Sequence, residues 1–395
     1  MNESQSQRQL LLPLANLLQD AGAPMRVHDL SDGLAERIAL APEVRDRVVT
    51  TTGGKKIRAW HRTVRWVLQL AKLRGIAAPV SAGTWTLTAK ANDALENARP
   101  GIVVILYEDR NGIVLWGEAE AVERHIDPGS VQLVCTSPPY PLTRPKQYGN
   151  RAEAEHIAWL TERAAAWKEL LAEDGSLFLN LGDVYLPGEP TMSLYQERLL
   201  IALVDELGYH LAQKLYWRSP TRLPSPAEWV TVRRVRVRHT LESVWWLAKS
   251  AHPKADNRNV LVPYSQRMRE TLQRGTNAGE RPSGHRITSR SFQTDNGGAI
   301  PESLIVASNA GISRAYLDGC RSRNLPVHPA RYPEALPEFA IKLTTDPGDV
   351  VCDFFAGSLT TAVVAQRLGR RYIAADRSKA YLEGGIRRLE HAHHG

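Results

Sequence analysis

The stretch Asp349–Ser378, "DVVCDFFAGSLTTAVVAQRLGRRYIAADRS", sets the fold class. An apolar run, Val350 to Cys352, ends in Asp353, and Phe-Phe-Ala-Gly-Ser-Leu-Thr-Thr then opens a helical segment. A second apolar run, Tyr372 to Ala375, ends in Asp376. Strand, small-residue turn, helix, strand and terminal acid is the order of a nucleoside site in a doubly wound sheet. The small residues let a ligand approach the backbone, and an acid after the next strand accepts from ribose hydroxyls. Asp376 is placed for that role.

Working outward, the same alternation extends back to Pro100. "GIVVILYED", "NGIVLWGEA", "SVQLVCTSPPY", "SLFLNLGDVY" and "LAQKLYWRS" read as strands. "AEAEHIAWLTERAAAWKELLAEDG" reads as a helix stopping at Gly175, and "MSLYQERLLIALVDELGYH" as another. Strands alternating with helices of this length predict an α/β fold with a largely parallel sheet. Residues 251–326 differ, being rich in Pro, Gly, Ser, Asn and Arg with little periodicity, and a long irregular stretch inside a compact domain is a functional segment or a disordered one.

The first 98 residues read as a separate module. "SQRQLLLPLANLLQDAG" carries leucines at helical spacing, a second helix covers Leu30 to Leu40, and "APEVRDRVV" begins a third. "IRAWHRTVRWVLQLAKLRG" is amphipathic and closed by Gly75, and "IAAPVSAGTWTLTAKANDAL" follows as a short hairpin. Helices followed by a two-stranded wing predict a winged helix. "RTVRWVLQLAKLRGI" and "GTWTLTAKA" also resemble the N-terminal domain of Mrr-type restriction proteins.

Net charge of +8 over 395 residues favours an anionic partner. No apolar run has the length of a membrane span, and "MNESQSQRQ" is no secretory signal, so a cytoplasmic location is expected. Cys135, Cys320 and Cys352 form no CxxC pair, so neither a disulfide framework nor a metal site is expected.

In "VQLVCTSPPYPLTRPKQYGN", Val131–Asn150, a buried-looking strand stops at Ser137-Pro138-Pro139-Tyr140. Proline lacks an N–H and fixes φ, so this turn is stiff and its carbonyls are available to accept from another group. Together with the Gly-Ser turn near the C-terminus, it resembles the amino-methylating DNA methyltransferases that use S-adenosylmethionine. Here the Ser-Pro-Pro-Tyr turn precedes the cofactor turn by more than 200 positions, with a basic segment between them. That order resembles the permuted β group, and the strings "KQYGN", "LPSPAEWV", "VWWLAKS", "RPSGH", "DNGGAIP" and "HPARYPEALPEF" resemble its PvuII-type cytosine-N4 enzymes. The turn departs from many relatives, which carry Pro at its second position and Gly at its sixth. Asp376 stands where Glu is common.

The resemblance implies a Rossmann-like S-adenosylmethionine-dependent sheet with permuted motifs, in two halves (99–250 catalytic, 327–395 cofactor-binding) around a target-recognition region, 251–326. It implies methyl transfer to the N4 amine of a cytosine flipped out of double-stranded DNA, in a restriction-modification system with a cognate endonuclease encoded nearby. Adenine N6 as target, and an inactive DNA-binding regulator, are the alternatives. An exocyclic amine is a poor nucleophile because its lone pair is delocalised, so two acceptors holding its hydrogens favour attack. Ser137 Oγ and the Pro138 carbonyl, fixed by Pro139, are those acceptors, and Tyr140 offers a face on which the base stacks. Methylation at ring carbon 5 needs a cysteine nucleophile, typically in a Pro-Cys motif, and none of the three cysteines follows a proline.

By the same resemblance the cofactor pocket comprises Asp353, Phe355, Ala356, Gly357, Ser358, Thr360 and Thr361, with the segment His328–Pro333, and in it His328, Pro329, Ala330 and Arg331, over the methionine end. Thr136, Asn180 and Asp183, at the ends of neighbouring strands, are further candidates. For DNA, Arg234, Arg236 and Arg238 alternate with valines, as on one face of a strand. Arg144, Lys146 and Tyr148 follow the catalytic turn, and Arg281 and Arg286 lie in the recognition region.

Overall fold

The computed structural model describes residues 9–50, 56–141, 152–275, 278–288, 291–292, 294–308 and 314–391, and the chain divides into two compact units, Met1–Arg99 and Pro100–Gly395.

The first unit runs α1 (Leu11–Ala21), β1 (Met25–Arg26), α2 (Val27–Arg37), α3 (Pro42–Arg45), β2 (Val48–Thr50), β3 (Lys56–Arg58), α4 (Ala59–Leu73), β4 (Ala77–Ser81), β5 (Thr84–Leu87) and α5 (Ala89–Glu96). Strand β5 lies between β1 and β4, antiparallel to both. Helix α4 buries Trp60, Val64, Val67, Leu68 and Ala71, a stripe at helical spacing, against Leu14 and Leu18 of α1 and Leu30 and Leu34 of α2. The Trp60 indole donates to the Ser31 carbonyl at 2.7 Å, which ties α4 to α2. The opposite face of α4 exposes Arg62, Arg65, Trp66, Gln69 and Lys72.

The second unit begins with β6 (Val104–Glu108), β7 (Gly112–Trp116), α6 (Ala119–Val122), β8 (Val131–Thr136), α7 (Glu153–Leu170) and β9 (Leu171–Leu181). There follow α8 (Tyr195–Ile201), β10 (His210–Arg218), β11 (Leu241–Ala248), α9 (Gln266–Arg274), the hairpin β12 (Gly279–Glu280) and β13 (Arg286–Ile287), β14 (Leu304–Val306) and α10 (Arg314–Ser322). The chain closes with α11 (Ala335–Thr344), β15 (Val350–Asp353), α12 (Thr360–Arg367), β16 (Arg371–Asp376) and α13 (Lys379–His391). Nine strands form one sheet in the order β14-β10-β11-β9-β8-β15-β16-β7-β6. Its centre, β9-β8-β15-β16-β7, is parallel throughout, as the strand–helix alternation predicts.

All six residues of β8 are buried, because helices cover both faces of a parallel sheet. Successive side chains divide between two core layers. Leu133, Cys135 and Val351 pack with α11, α12 and α13, whereas Val134, Cys352 and Phe354 pack with α7 and α8. Trp167 anchors the second layer, its ring stacked on Phe354 with centroids 5.4 Å apart.

Three expectations need correction. Helix α7 ends at Leu170, not Gly175, because the chain from Leu171 joins β8 and bulges before Ser176 pairs with Leu133. The Arg234–Arg238 segment is no strand. Arg234 has a left-handed φ of 55°, and Val235 and Val237 are 61% and 87% exposed, so no buried face opposes the arginines. Residues 251–326 are also less irregular than their composition predicts, since they include α9, the β12–β13 hairpin, β14 paired in parallel with β10, and α10.

Candidate active site

Strand β8 leads by α7 to β9 on one side, while β15 leads by α12 to β16 on the other, so the topology reverses between β8 and β15. Ligands of open α/β sheets bind at the carboxyl ends of strands beside such a reversal. A cleft lies there, lined by Ser137, Pro138, Pro139 and Tyr140 after β8, Phe355–Ser358 and Thr360 after β15, Asp376 and Arg377 at the end of β16, and Glu118 after β7. The two turns singled out in the sequence, more than 200 positions apart, thus face one space.

The floor is organised by Asp353. Its carboxylate accepts from Thr136 Oγ1 (2.6 Å), Thr361 Oγ1 (2.6 Å), Tyr332 OH (3.0 Å) and the Phe355 amide (3.1 Å). Burial raises its pKa and the four donors oppose that rise. Asp353, Thr136 and Thr361 are buried beneath the cleft rather than lining it, and they lock β8, the turn and α12 together.

Asp376 lines the cleft and accepts from the amides of Gly357 (2.9 Å) and Ser378 (2.8 Å). Burial pushes its pKa up to about 6 despite those two bonds. Gly357, at φ 46°, lets the turn pass close to His328, and a Cβ there would lie 2.9 Å from the imidazole Nε2. The His328 ring meets Tyr381 edge-on at 4.6 Å. Arg388, almost fully buried, donates to the Ser358 carbonyl at 2.8 Å and to Glu334 at 2.8 Å, which holds the turn from below. These features fit a nucleoside bearing an amino-acid arm: a tight backbone turn, an acid for the ribose hydroxyls, and the Phe355 and Trp159 rings (5.6 Å apart) for a base.

Across the cleft, Ser137 Oγ lies 3.1 Å from Tyr140 OH and donates to Asn180 Oδ1 at 3.2 Å. The Asn180 amide donates to the Ser243 carbonyl at 3.2 Å. Tyr140 OH donates to Glu242 Oε2 at 3.3 Å, and Arg222 pairs with the other carboxylate oxygen. Burial, and then the Glu242 charge, hold the Tyr140 pKa far above its usual value, so the phenol keeps its proton. A Cβ at Gly182 would come within 2.5 Å of the Tyr140 ring, so the ring rests on the Gly182 backbone.

His328, Ala330 and Arg331 line the cleft, whereas Pro329 is not among its lining residues. Asn180 backs Ser137 instead of facing the cleft. Asp183 is turned away, bound by Gln196 Nε2 (3.0 Å) and His239 Nε2 (2.6 Å). Arg234, Arg238, Arg281 and Arg286 are exposed, while Arg236 is half-buried over the Tyr185 ring (4.4 Å) and donates to the Pro190 carbonyl. Arg144, Lys146 and Tyr148 lie outside the described residues. Sequence reasoning missed Glu118, Glu120, Trp159, Tyr381 and the pair Arg222–Glu242. Only Glu118 left a signal, being an acid just beyond the "IVLWG" strand. Among the described residues no cluster of potential metal ligands occurs, and no helix is long and apolar enough to cross a membrane.

Comparison with known proteins agrees with this geometry. The DNA methylase family matches residues 131–387, and the Mrr N-terminal domain matches residues 8–97. The type II methyltransferase M.PvuII of Proteus hauseri is 40% identical over 279 residues, covering 70% of this chain and 83% of that protein. M.BglII of Bacillus subtilis is 26% identical over 258 residues, covering 65% and 63%. A solved structure described as the cytosine-N4-specific PvuII DNA methyltransferase superposes with a TM-score of 0.59 at 33% identity, covering 74% of this chain and 90% of that one. With the family matched across both halves of its nine-stranded sheet, the chain belongs to the N6/N4 DNA methylases.

Proposed function

We propose that this protein transfers the methyl group of S-adenosylmethionine to the exocyclic N4 amine of a cytosine flipped out of double-stranded DNA, as the modification half of a cytoplasmic restriction-modification system with a partner endonuclease. The observation that carries it is the single cleft shared by Ser137–Tyr140 and the Phe355–Ser358/Asp376 nucleoside turn. The description of the PvuII relative as cytosine-N4-specific supports the choice of base. Ser137, which stands where adenine-specific relatives usually carry Asp or Asn, supports it as well.

Bound S-adenosylmethionine supplies an electrophilic methyl group. Asp376 would accept from its ribose hydroxyls, Phe355 and Trp159 would flank its base, and His328 and Arg331 would meet its methionine end. Facing it, Ser137 Oγ and the Pro138 carbonyl accept the two amine hydrogens, which draws the nitrogen lone pair out of the ring and stabilises the charge that develops on nitrogen. Tyr140, seated on Gly182, presents its ring to the extruded base. The thiol of Cys135 takes no part. It is buried in the strand, and burial holds its pKa well above the usual thiol value, so it stays protonated.

The remaining DNA contacts belong to the same reading. Arg144, Lys146 and Tyr148 follow the catalytic turn, and the exposed Arg234, Arg238, Arg281 and Arg286 suit phosphates or guanine edges. The first unit has the helix order and the β1-β5-β4 sheet of a winged helix, which makes α4 its recognition helix. It carries 14 Lys and Arg against 9 Asp and Glu, a charge suited to a DNA backbone.

Incubation of the purified protein with S-adenosylmethionine and DNA, followed by nucleoside mass spectrometry, tests the reading. N4-methylcytosine is expected. N6-methyladenine as the only product would overturn the cytosine assignment, and an unmodified substrate would favour the inactive regulator.

A further inference from the structure

We propose that Glu242, acting through Tyr140, sets the direction of the hydrogen-bond chain that ends on Ser137 and so keeps the Ser137 oxygen an acceptor toward the substrate amine. The proposal rests on the amine-methylating reading above and deepens it by naming a positioning residue. Glu242 lies 102 positions from Tyr140, on β11.

Donor and acceptor counting carries the argument. Glu242 is buried, with only 7% of its side chain exposed, and its carboxylate only accepts. Arg222 occupies Oε1 and also donates to the Leu241 carbonyl at 3.1 Å, which fixes the guanidinium. Tyr140 donates its one phenolic proton to Oε2 at 3.3 Å. Toward Ser137, 3.1 Å away, the phenol oxygen therefore acts as an acceptor.

The second neighbour of Ser137 is fixed the same way. The Ser243 carbonyl can only accept, so it selects the Asn180 Nδ2 end, and Oδ1 faces Ser137 at 3.2 Å. Both neighbours thus present acceptors to Ser137, whose single hydrogen is directed into the protein, toward Asn180 Oδ1. Its oxygen meets the amine with lone pairs. Burying a carboxylate such as Glu242, even one paired with the partly exposed Arg222, is seldom more stabilising than burying an apolar residue of the same volume. The polarity of Glu242–Arg222 is therefore better explained by this orientation than by packing.

Glu242→Gln is a sharp probe, because Arg222 has donors only. It would hold the new Oε1 and leave Nε2 facing Tyr140. The amide then donates to the phenol oxygen, the phenol turns its proton toward Ser137, and one Ser137 lone pair is withdrawn from the substrate. Single-turnover methylation is expected to slow at least about tenfold, while calorimetric affinity for S-adenosylmethionine stays unchanged. Tyr140→Phe supplies the reference background, since a phenyl ring cannot donate to Ser137. There, adding Glu242→Gln should cost no further rate.

An equal penalty from Glu242→Gln in both backgrounds would overturn the proposal, since a purely structural loss does not depend on the phenol. A wild-type rate for the single variant would overturn it too. Glu242→Met removes the acceptor without supplying a donor. It should slow the wild-type background to a similar degree and have no effect in the Tyr140→Phe background, so the result does not depend on one variant folding. Absence of amine methylation by the unaltered protein would instead refute the underlying reading, and is seen separately in the wild-type control.

Discussion

Asp376 links the cofactor site to pH. Its carboxyl lines the cleft with a pKa pushed up to about 6 by burial, although the Gly357 and Ser378 amides both donate to it. In the ligand-free protein it is therefore largely neutral well below pH 6 and ionised above. Ribose hydroxyls donate to the ionised form, so cofactor binding favours loss of the proton. The sign follows by linkage: below the folded-state pKa, binding must release a proton, and affinity falls as pH drops through about 6. In the free protein the same raised pKa adds stability at low pH, which is lost as pH rises through that value. Taking the bound carboxyl as fully ionised, Kd should weaken about tenfold between roughly pH 7 and pH 5, or ~1.4 kcal/mol. Calorimetry with S-adenosylmethionine across this range, in buffers of different ionisation enthalpy, measures both the Kd and the proton released. Asp376→Asn keeps the shape but cannot ionise, so its affinity should be weaker near pH 7 and flat across the range. A flat profile in the unaltered protein, or an unchanged slope in Asp376→Asn, would refute the reasoning.

Other perturbations test the remaining parts of the site. Ser137→Ala removes one acceptor and should lower the methylation rate at least about tenfold, ~1.4 kcal/mol, in single-turnover assays. Asp353→Ala removes the acceptor shared by four donors, two of them fully buried, each unmade bond costing ~1–3 kcal/mol, so thermal unfolding should show a loss of at least about 3 kcal/mol. Gly182→Ala would push on the Tyr140 ring and should slow methylation while leaving cofactor affinity intact. Replacing Arg62 and Arg65 on the exposed face of α4 with alanine should weaken DNA binding and lower its salt slope by about one for each phosphate no longer neutralised.

The fold was legible where local signals agree with tertiary needs. Apolar runs ending in Asp353, Asp376 and Ser137 mark the carboxyl ends of β15, β16 and β8, and all three face the cleft or its floor. Legibility failed where packing overrides local preference. Ala172–Asp174 continue the helical composition of α7, yet Asp174 is drawn into β9, where its carbonyl accepts from the Lys254 amide at 2.9 Å and from Gln132 at 3.3 Å. The Arg233–Arg238 run alternates like a strand, yet Arg233 turns onto Trp229 (5.0 Å) and Arg236 onto Tyr185 (4.4 Å), and the backbone follows. Helix α9 was written more plainly than its surroundings imply: Ser265 caps it by accepting from the Met268 amide at 3.2 Å, and Gly275 closes it. Its signals were masked by the Gly- and Ser-rich segment that follows.

The site shows the same division. Groups that touch ligand sit in short, type-restricted turns, because a close backbone approach or a fixed carbonyl admits few residues, and these can be read from the chain alone. Groups that orient them do not. Glu242 and Arg222 look like ordinary charges on a strand and a loop, and only the register of β11 against β9, with Val244 opposite Asn180, brings Glu242 behind Tyr140 and the Ser243 carbonyl onto the Asn180 amide. A one-residue slip in that register would turn the Glu242 side chain to the other face of the sheet. The polarity of the Ser137 hydroxyl is thus set by strand pairing, at positions where the sequence pattern looks like structural support.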